Sequence, residues 1–85
     1  MNEIIHTVKD YVLTSFLPGE DPKLLTPSTE LLRTGILDSL GTLELVAFLE
    51  ERYDIELEAH DVDASNLATL DDIARLVQWK LEARA

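Results

Sequence analysis

The chain has 85 residues, and its 17 acidic and 7 basic side chains leave a formal net charge of −10 at pH 7. Such a surface repels phosphate backbones and anionic lipid headgroups, which argues against nucleic acid and membranes as partners. The chain is long enough for one domain, residues 1–85, with a modest core, and since it has no cysteine, any thiol chemistry needs an attached group.

An amphipathic helix is the first predicted element. Asn2 is a candidate N-cap, and Pro18-Gly19 ends the helix. This N-terminus lacks the basic start of a signal peptide, and no apolar run in the chain reaches the roughly 18 residues of a membrane span, so we expect a cytoplasmic protein. Apolar residues recur at helical spacing and predict the buried stripe Ile4, Ile5, Val8, Tyr11, Val12 and Phe16.

A long connection to about Asp38 follows the first helix. Its prolines and glycines predict irregular backbone, and connections of this length in small domains are usually functional or held down by their own side chains. We expect the connection to pack across a helical core. The side chains expected to hold it there are Leu24, Leu25, Leu31, Leu32, Ile36 and Leu37.

The second helix is predicted from about Ser39 to Tyr53, with Asp38 capping its first turn. At about 100° per residue, one sector of this helix faces the core. A second apolar sector faces outward and is rimmed by Glu44 and Glu51, which indicates an interaction site unless the long connection folds over it. The core-facing residues are Leu45, Val46, Leu49 and Tyr53, and the second sector, called the outward strip below, is Leu40, Leu43 and Ala47.

Two residues at the start of the second helix stand out. Gly41 costs about 1 kcal/mol relative to alanine inside a helix, so either it makes room for a group close to the backbone or a first-turn glycine is simply tolerated. Ser39 lies where free backbone N–H groups and the helix dipole favour a phosphate ester. The alternative for Ser39 is a plain capping residue.

The C-terminal half contains two further helices. A short third helix is predicted as a single turn over Asp61–Ala64. Thr69 and Asp72 resemble a capping box with Asp in place of Glu, and they precede a periodic stripe that ends near Leu81. With no alternating strand pattern, the predicted fold class is all-α: a small four-helix bundle with three main helices, one short third helix and a long first loop.

The stretch "GILDSLGTLELVAFLEERYDIEL" resembles the acyl and peptidyl carrier protein family, in which Asp-Ser-Leu begins the second of four helices. The resemblance extends to "NLATLDDIARLV" and covers most of the chain. The positions that match in register are Leu37, Asp38, Ser39, Leu40, Thr42, Glu44, Leu45, Val46, Glu50, Glu51, Asp54 and Ile55.

The resemblance implies that Ser39 is the attachment point for 4'-phosphopantetheine, with Asp38 and Leu40 beside it. A phosphopantetheinyl transferase would transfer the group from coenzyme A, and the chain would then carry an acyl or aminoacyl thioester as a non-catalytic monomer. Its other partners would be an acyl- or aminoacyl-activating enzyme and a downstream synthase or transferase. The implied partner surface is Leu40, Leu43, Glu44, Ala47, Glu50 and Glu51.

Two positions depart from the housekeeping fatty-acid carriers of that family. Gly41 stands where those carriers usually have Asp, and Arg52 stands where a further acid is common. The segment "DVDASNLATLDDIARLV" is also more similar to freestanding carriers of specialised pathways, including polyketide and aminoacyl types. The resemblance therefore favours a specialised acyl or aminoacyl cargo over the housekeeping one.

Three other interpretations compete with a carrier. A hydrolase with Ser39 as nucleophile needs an oriented base, and only His6 and His60 are available. A cofactor-free helical interaction module would use the same outward strip and acidic rim. The third interpretation is a calcium loop, because the acidic positions of an EF-hand are echoed by Asp61, Asp63, Ser65 and Asp72, with Asn66 at the glycine position. We expect these residues instead to be solvated or to cap helices, with no metal bound.

Overall fold

The computed structural model describes residues 2–84, and within them it contains helices and no strand. This confirms the predicted all-α fold of four helices with a long first loop. One short 3₁₀ turn, Pro22–Leu24, lies in that loop. The helices are α1 (Asn2–Phe16), α2 (Ser39–Tyr53), α3 (Ala64–Leu67) and α4 (Leu70–Arg84).

The core forms where α1, α2 and the short α3 pack against α4. In α1, Ile4 is buried and Ile5 only partly so, while Asn2 is itself the first helical residue. Because α4 contacts every other helix, its apolar face sets the arrangement of the bundle. The largest fully buried side chains contributed by the three long helices are Val8, Val12, Leu45, Leu49, Leu70, Ile73 and Val77.

The connection from 17 to 38 packs across the core as predicted. The Leu31 N–H donates to the Ala68 carbonyl at 2.7 Å, and the Asp71 N–H donates to the Pro27 carbonyl at 3.1 Å. The prediction was wrong for Leu24, which is exposed because it lies on the 3₁₀ turn and the next residue takes the core position. The connection is buried through Leu25, Leu31 and Leu37, with Leu32 and Ile36 partly buried.

Helix α2 begins and ends where the sequence predicts. Leu45 and Leu49 are buried, but Val46 and Tyr53 are only partly buried, so the predicted core stripe was wrong for those two. The buried line instead includes Gly41, since positions separated by four residues form the row that faces the neighbouring helices. Val46 and Tyr53 lie at the edge of that sector.

The bounds of α3 differ from the prediction of Asp61–Ala64. The helix is Ala64–Leu67, with Asp63 as its N-cap and the Ser65 N–H donating to Asp63 at 3.4 Å. Asp61 lies instead in the preceding turn, where its carboxylate accepts from the Glu58 N–H at 2.9 Å. The helix therefore begins three residues further along the chain than predicted.

The predicted capping pair, Thr69 and Asp72, forms at the N-terminus of α4. The Asp72 N–H donates to Thr69 Oγ1 at 3.1 Å, and the Thr69 hydroxyl donates to Asp72 Oδ2 at 2.9 Å. The helix runs past the predicted end at Leu81, because the residues after it include the good helix formers Glu82 and Ala83. Among the helices of residues 2–84, none combines the length and apolarity needed to traverse a bilayer.

Candidate functional site

Ser39 is the first residue of α2, and its side chain is exposed. Asp38 caps the helix, because its Oδ1 accepts from the Gly41 N–H at 2.7 Å. Thr42 donates both its N–H and its hydroxyl to the Asp38 carbonyl oxygen, each at 2.8 Å. These bonds hold the first turn of α2 rigidly without using Ser39, so the capping role belongs to Asp38.

The Ser39 hydroxyl is free for chemistry. Within residues 2–84, no side chain or backbone group is hydrogen-bonded to it. The first turn of α2 contains no acidic residue, and a helix N-terminus favours negative charge. A phosphate ester on the Ser39 oxygen would therefore lie in a favourable field.

The outward strip is open to solvent. Leu40 is 66% exposed and Leu43 is 65% exposed, and Ala47 continues the strip one turn further on. The alternative that the long connection folds over this strip is therefore wrong. Glu44 and Glu51 are exposed beside it, which gives an apolar surface with an acidic rim.

Glu50 differs from the other acids that the resemblance assigned to the partner surface. It is partly buried, and its Oε2 accepts from the Leu57 N–H at 2.9 Å. The Ile55 N–H also donates to the Glu50 carbonyl at 3.2 Å. Glu50 thus ties the end of α2 to the segment that follows, and its carboxylate is already engaged.

A shallow groove runs between the 31–37 segment and the first turns of α2, with a volume of about 500 Å³. Ser39 and Asp38 form one rim, and the walls are largely apolar. We call it the Ser39 groove. Its lining residues are Leu32, Leu37, Asp38, Ser39, Thr42 and Leu43.

Gly41 is buried, and the group close to its backbone is the ring of Phe16. A Cβ atom at position 41 would lie 3.1 Å from Phe16 Cε1 and 3.1 Å from Asp38 Oδ1. The interpretation that glycine makes room is therefore correct. Sequence reasoning missed Phe16 as its neighbour, because helical periodicity does not show where two helices cross.

The Phe16 ring belongs to an aromatic cluster that joins α1 to α2. Phe16 meets Tyr11 edge-on with ring centroids 5.7 Å apart, and Tyr11 stacks on Phe48 at 4.0 Å. Burial, and secondarily the Glu44 carboxylate, raise the pKa of Tyr11. The cluster therefore brings α1 close to the acidic rim of the outward strip.

The geometry gives no support to a hydrolase. In the part of the chain that the structure describes, no base contacts the Ser39 hydroxyl. His60 instead lies with Nε2 at 3.4 Å from Glu58 Oε2 and 3.5 Å from Asp61 Oδ1, and His6 is exposed on α1.

The acids that a calcium loop would need have other partners. Asp61 Oδ2 lies 2.6 Å from Lys80 Nζ. Asp63 caps α3, and Asp72 pairs with the Thr69 hydroxyl and with Arg75 Nη1 at 3.4 Å. The segment therefore acts as a set of caps and ion pairs for the C-terminal half of the fold.

Comparison with known proteins agrees with this geometry. The family model described as a phosphopantetheine attachment site matches residues 17–77, which include the Ser39 groove. A protein of Bdellovibrio bacteriovorus named acyl carrier protein is 33% identical over 76 residues, covering 89% of this chain and 92% of its own length.

Two further relatives match over a smaller share of their length. A putative mitochondrial acyl carrier protein of Schizosaccharomyces pombe is 32% identical over 73 residues, which are 86% of this chain and 63% of that protein. An acyl carrier protein of Syntrophobacter fumaroxidans is 38% identical over 55 residues, or 65% of each chain. The match spans less than two thirds of the length of these two relatives.

Proposed function

Because the chain belongs to the phosphopantetheine-binding carrier protein family, we propose that its 4'-phosphopantetheine is attached to the hydroxyl oxygen of Ser39. One observation carries this assignment. Ser39 lies inside the matched segment as the first residue of α2, and its exposed hydroxyl has no hydrogen-bond partner within residues 2–84. Asp38 and Leu40 flank the attachment point.

The residues around Ser39 fit such a group. The first turn of α2 favours the negative phosphodiester, and Asp38 and Thr42 hold that turn in place. When bound, the group supplies a thiol that holds an acyl or aminoacyl cargo as a thioester, chemistry that a chain without cysteine lacks. In loading, Ser39 Oγ would lose its proton and form the ester bond to the pantetheine-linked phosphorus of coenzyme A, while the P–O–P bond of coenzyme A breaks and adenosine 3',5'-bisphosphate leaves. The base that takes this proton belongs to the transferase, since no base of residues 2–84 contacts Ser39.

The proposed role is that of a monomeric cytoplasmic carrier, with residues 1–85 acting as one domain and as a cosubstrate rather than a catalyst. The partners are a phosphopantetheinyl transferase, an acyl- or aminoacyl-activating enzyme and a downstream synthase or transferase. We assign the cargo to a specialised acyl, polyketide or aminoacyl pathway. This assignment is supported by the reduced acidity of α2, in which Gly41 and Arg52 stand at positions where the resemblance gives acids. Phe16 covers Gly41, and Arg52 is exposed with its guanidinium 5.6 Å from the Tyr53 ring centroid.

Intact-mass measurement tests the attachment site. After incubation with coenzyme A and a broad-specificity phosphopantetheinyl transferase, we expect the protein to gain the mass of one phosphopantetheine group. Ser39→Ala should gain none, whereas Ser15→Ala, which removes another exposed hydroxyl, should gain the same mass as the unaltered chain. A gain that persists in Ser39→Ala would refute the assignment. No gain at all would favour a cofactor-free interaction module that uses the outward strip.

Charge reversal tests the partner surface, for which we propose the outward strip with Glu44 and Glu51. Glu44→Lys or Glu51→Lys should slow cargo transfer to partner enzymes on the order of tenfold at low ionic strength, because the acids steer basic partner surfaces toward the strip. The salt dependence of transfer should flatten in both variants, while helix content measured by circular dichroism stays unchanged.

Two other charge reversals serve as controls for the partner surface. Glu56→Lys makes the same charge change at an exposed position beyond the end of α2, so it should slow transfer much less. Glu50→Lys should lower stability, because it removes the acceptor of the Leu57 N–H. Equal slowing by Glu56→Lys and Glu44→Lys would mean that net charge, and not the strip, governs encounter.

A further inference from the structure

The Ser39 groove lies where a group attached to Ser39 must begin. Ser39 is itself one of its lining residues, and the groove continues along Thr42 and Leu43 on one side and Leu32 and Leu37 on the other. Leu37 is buried and Leu32 is partly buried, so that wall is firmly anchored in the core. Leu43 leaves much of its side chain uncovered.

We propose that the Ser39 groove is the resting site of the pantetheine arm of this carrier when no partner is bound. This inference rests on the proposed function, since the arm must be attached to Ser39. Beyond its phosphate, the arm is an uncharged chain of methyl, methylene and amide groups with one hydroxyl and a terminal thiol. An uncharged chain suits walls that carry no charged side chain apart from Asp38 at the rim.

Apart from Ser39, whose oxygen carries the arm, the polar groups at the rim already have hydrogen-bond partners, which leaves the apolar walls to make the contact. The Asp38 carboxylate accepts from the Gly41 N–H, and the Thr42 hydroxyl donates to the Asp38 carbonyl. A weak contact is sufficient here, because a short covalent tether gives an effective concentration in the millimolar range. The arm would lie on the side of α2 that faces the 31–37 segment.

Leu43 belongs to both the Ser39 groove and the outward strip. An arm at rest in the groove would therefore cover part of the surface on which a partner docks. A partner that binds Leu43 would displace the arm from the groove and leave it free to enter the partner's own active site. One side chain thus couples docking to release of the arm.

Isotope-filtered nuclear Overhauser measurements test the resting site. The ¹³C-methyl-labelled protein is loaded from unlabelled coenzyme A, so that only contacts between the arm and the protein are detected. We expect contacts from the arm's methyl protons to the methyl groups of Leu32 and Leu43, with amide shift changes at Leu32, Thr42 and Leu43 relative to the unloaded chain. Arm contacts to α3 or α4, or no contacts to the groove, would overturn the proposal.

A matched pair of variants separates the groove from the rest of the strip. Leu43→Ser should lose the arm contacts to Leu32, whereas Leu40→Ser should keep them, because Leu40 is equally exposed but does not line the groove. Equal loss in both variants would also overturn the proposal. Intact-mass measurement of the same samples distinguishes a failure of the attachment to Ser39 from a failure of the resting site. No mass gain refutes the attachment to Ser39 and the groove with it, while a full gain without groove contacts refutes the groove alone.

Discussion

We expect Lys80→Met to lower the free energy of unfolding by about 3 to 5 kcal/mol, because it leaves a buried carboxylate without its counter-charge. Asp61 is 2% exposed, and its Oδ2 lies 2.6 Å from Lys80 Nζ, whose side chain is only 16% exposed. The same carboxylate accepts from the Glu58 N–H at 2.9 Å, and the Asp61 carbonyl accepts from Asn66 Nδ2 at 3.0 Å. One residue thus ties the turn before α3 to both α3 and α4.

Urea denaturation of matched variants measures this contribution. Arg75→Met removes an exposed ion pair with Asp72 on the same helix and should cost less than about 1 kcal/mol. The double variant Asp61→Asn, Lys80→Met removes both charges but keeps an acceptor for the Glu58 N–H, so it should recover most of the loss. A Lys80→Met cost no larger than that of Arg75→Met would mean that the buried pair contributes little.

The pH dependence of stability gives a second measure of the same pair. The hydrogen bond from Lys80 and that from the Glu58 N–H lower the pKa of Asp61, and the nearby His60 acts in the same direction. The folded pKa lies below the unfolded value of about 3.9, so the stabilisation is complete above that pH and is lost as the pH falls through the folded pKa. In Lys80→Met, the loss of stability on acidification should begin at higher pH.

The Asp61 and Lys80 pair also shows why the position of α3 was not predictable. Asp61 and Asp63 are equally able to cap a helix, and local sequence does not choose between them. The choice is made by Lys80, which comes from α4 and engages Asp61, so that Asp63 is left to cap α3. In contrast, the start of α2 was predictable, because Asp38 directly precedes a long periodic stretch and its bonds are all local.

The features of the candidate site also divide into those that local sequence predicts and those that depend on contacts between distant segments. Helical geometry places the outward strip in a different sector from the core stripe, which is why the sequence predicts the strip itself. Its exposure depends on the path of the long connection, so only the structure shows that Leu40 and Leu43 are uncovered. The engagement of Glu50 did not follow, because its partner is the Leu57 N–H across the turn that Asp54 makes with φ 53°. The contact of Phe16 with Gly41 depends on how α1 crosses α2, which no local pattern encodes.

We expect Gly41→Asp, which introduces the residue that the resemblance gives for housekeeping carriers, to destabilise the fold by about 1 to 3 kcal/mol. Its Cβ would lie 3.1 Å from both Phe16 Cε1 and Asp38 Oδ1, so the new side chain would crowd the ring and add a second negative charge near that of Asp38. Thermal denaturation gives the cost. Gly41→Ala adds only the Cβ, so its gain in helix propensity of about 1 kcal/mol should be largely offset by the same close contact.

Removing the ring distinguishes this explanation from a simple charge effect. In a Phe16→Ala background, Gly41→Ala should become more favourable than it is beside the ring, but by less than the full propensity gain of about 1 kcal/mol, because the 3.1 Å approach to Asp38 Oδ1 remains. Gly41→Asp should cost clearly less than it does beside the ring. If Gly41→Asp costs the same with and without the ring, repulsion from Asp38 alone explains it. A lower cost without the ring would mean that Phe16 itself disfavours an acid at position 41, because the ring lies where the new side chain must begin.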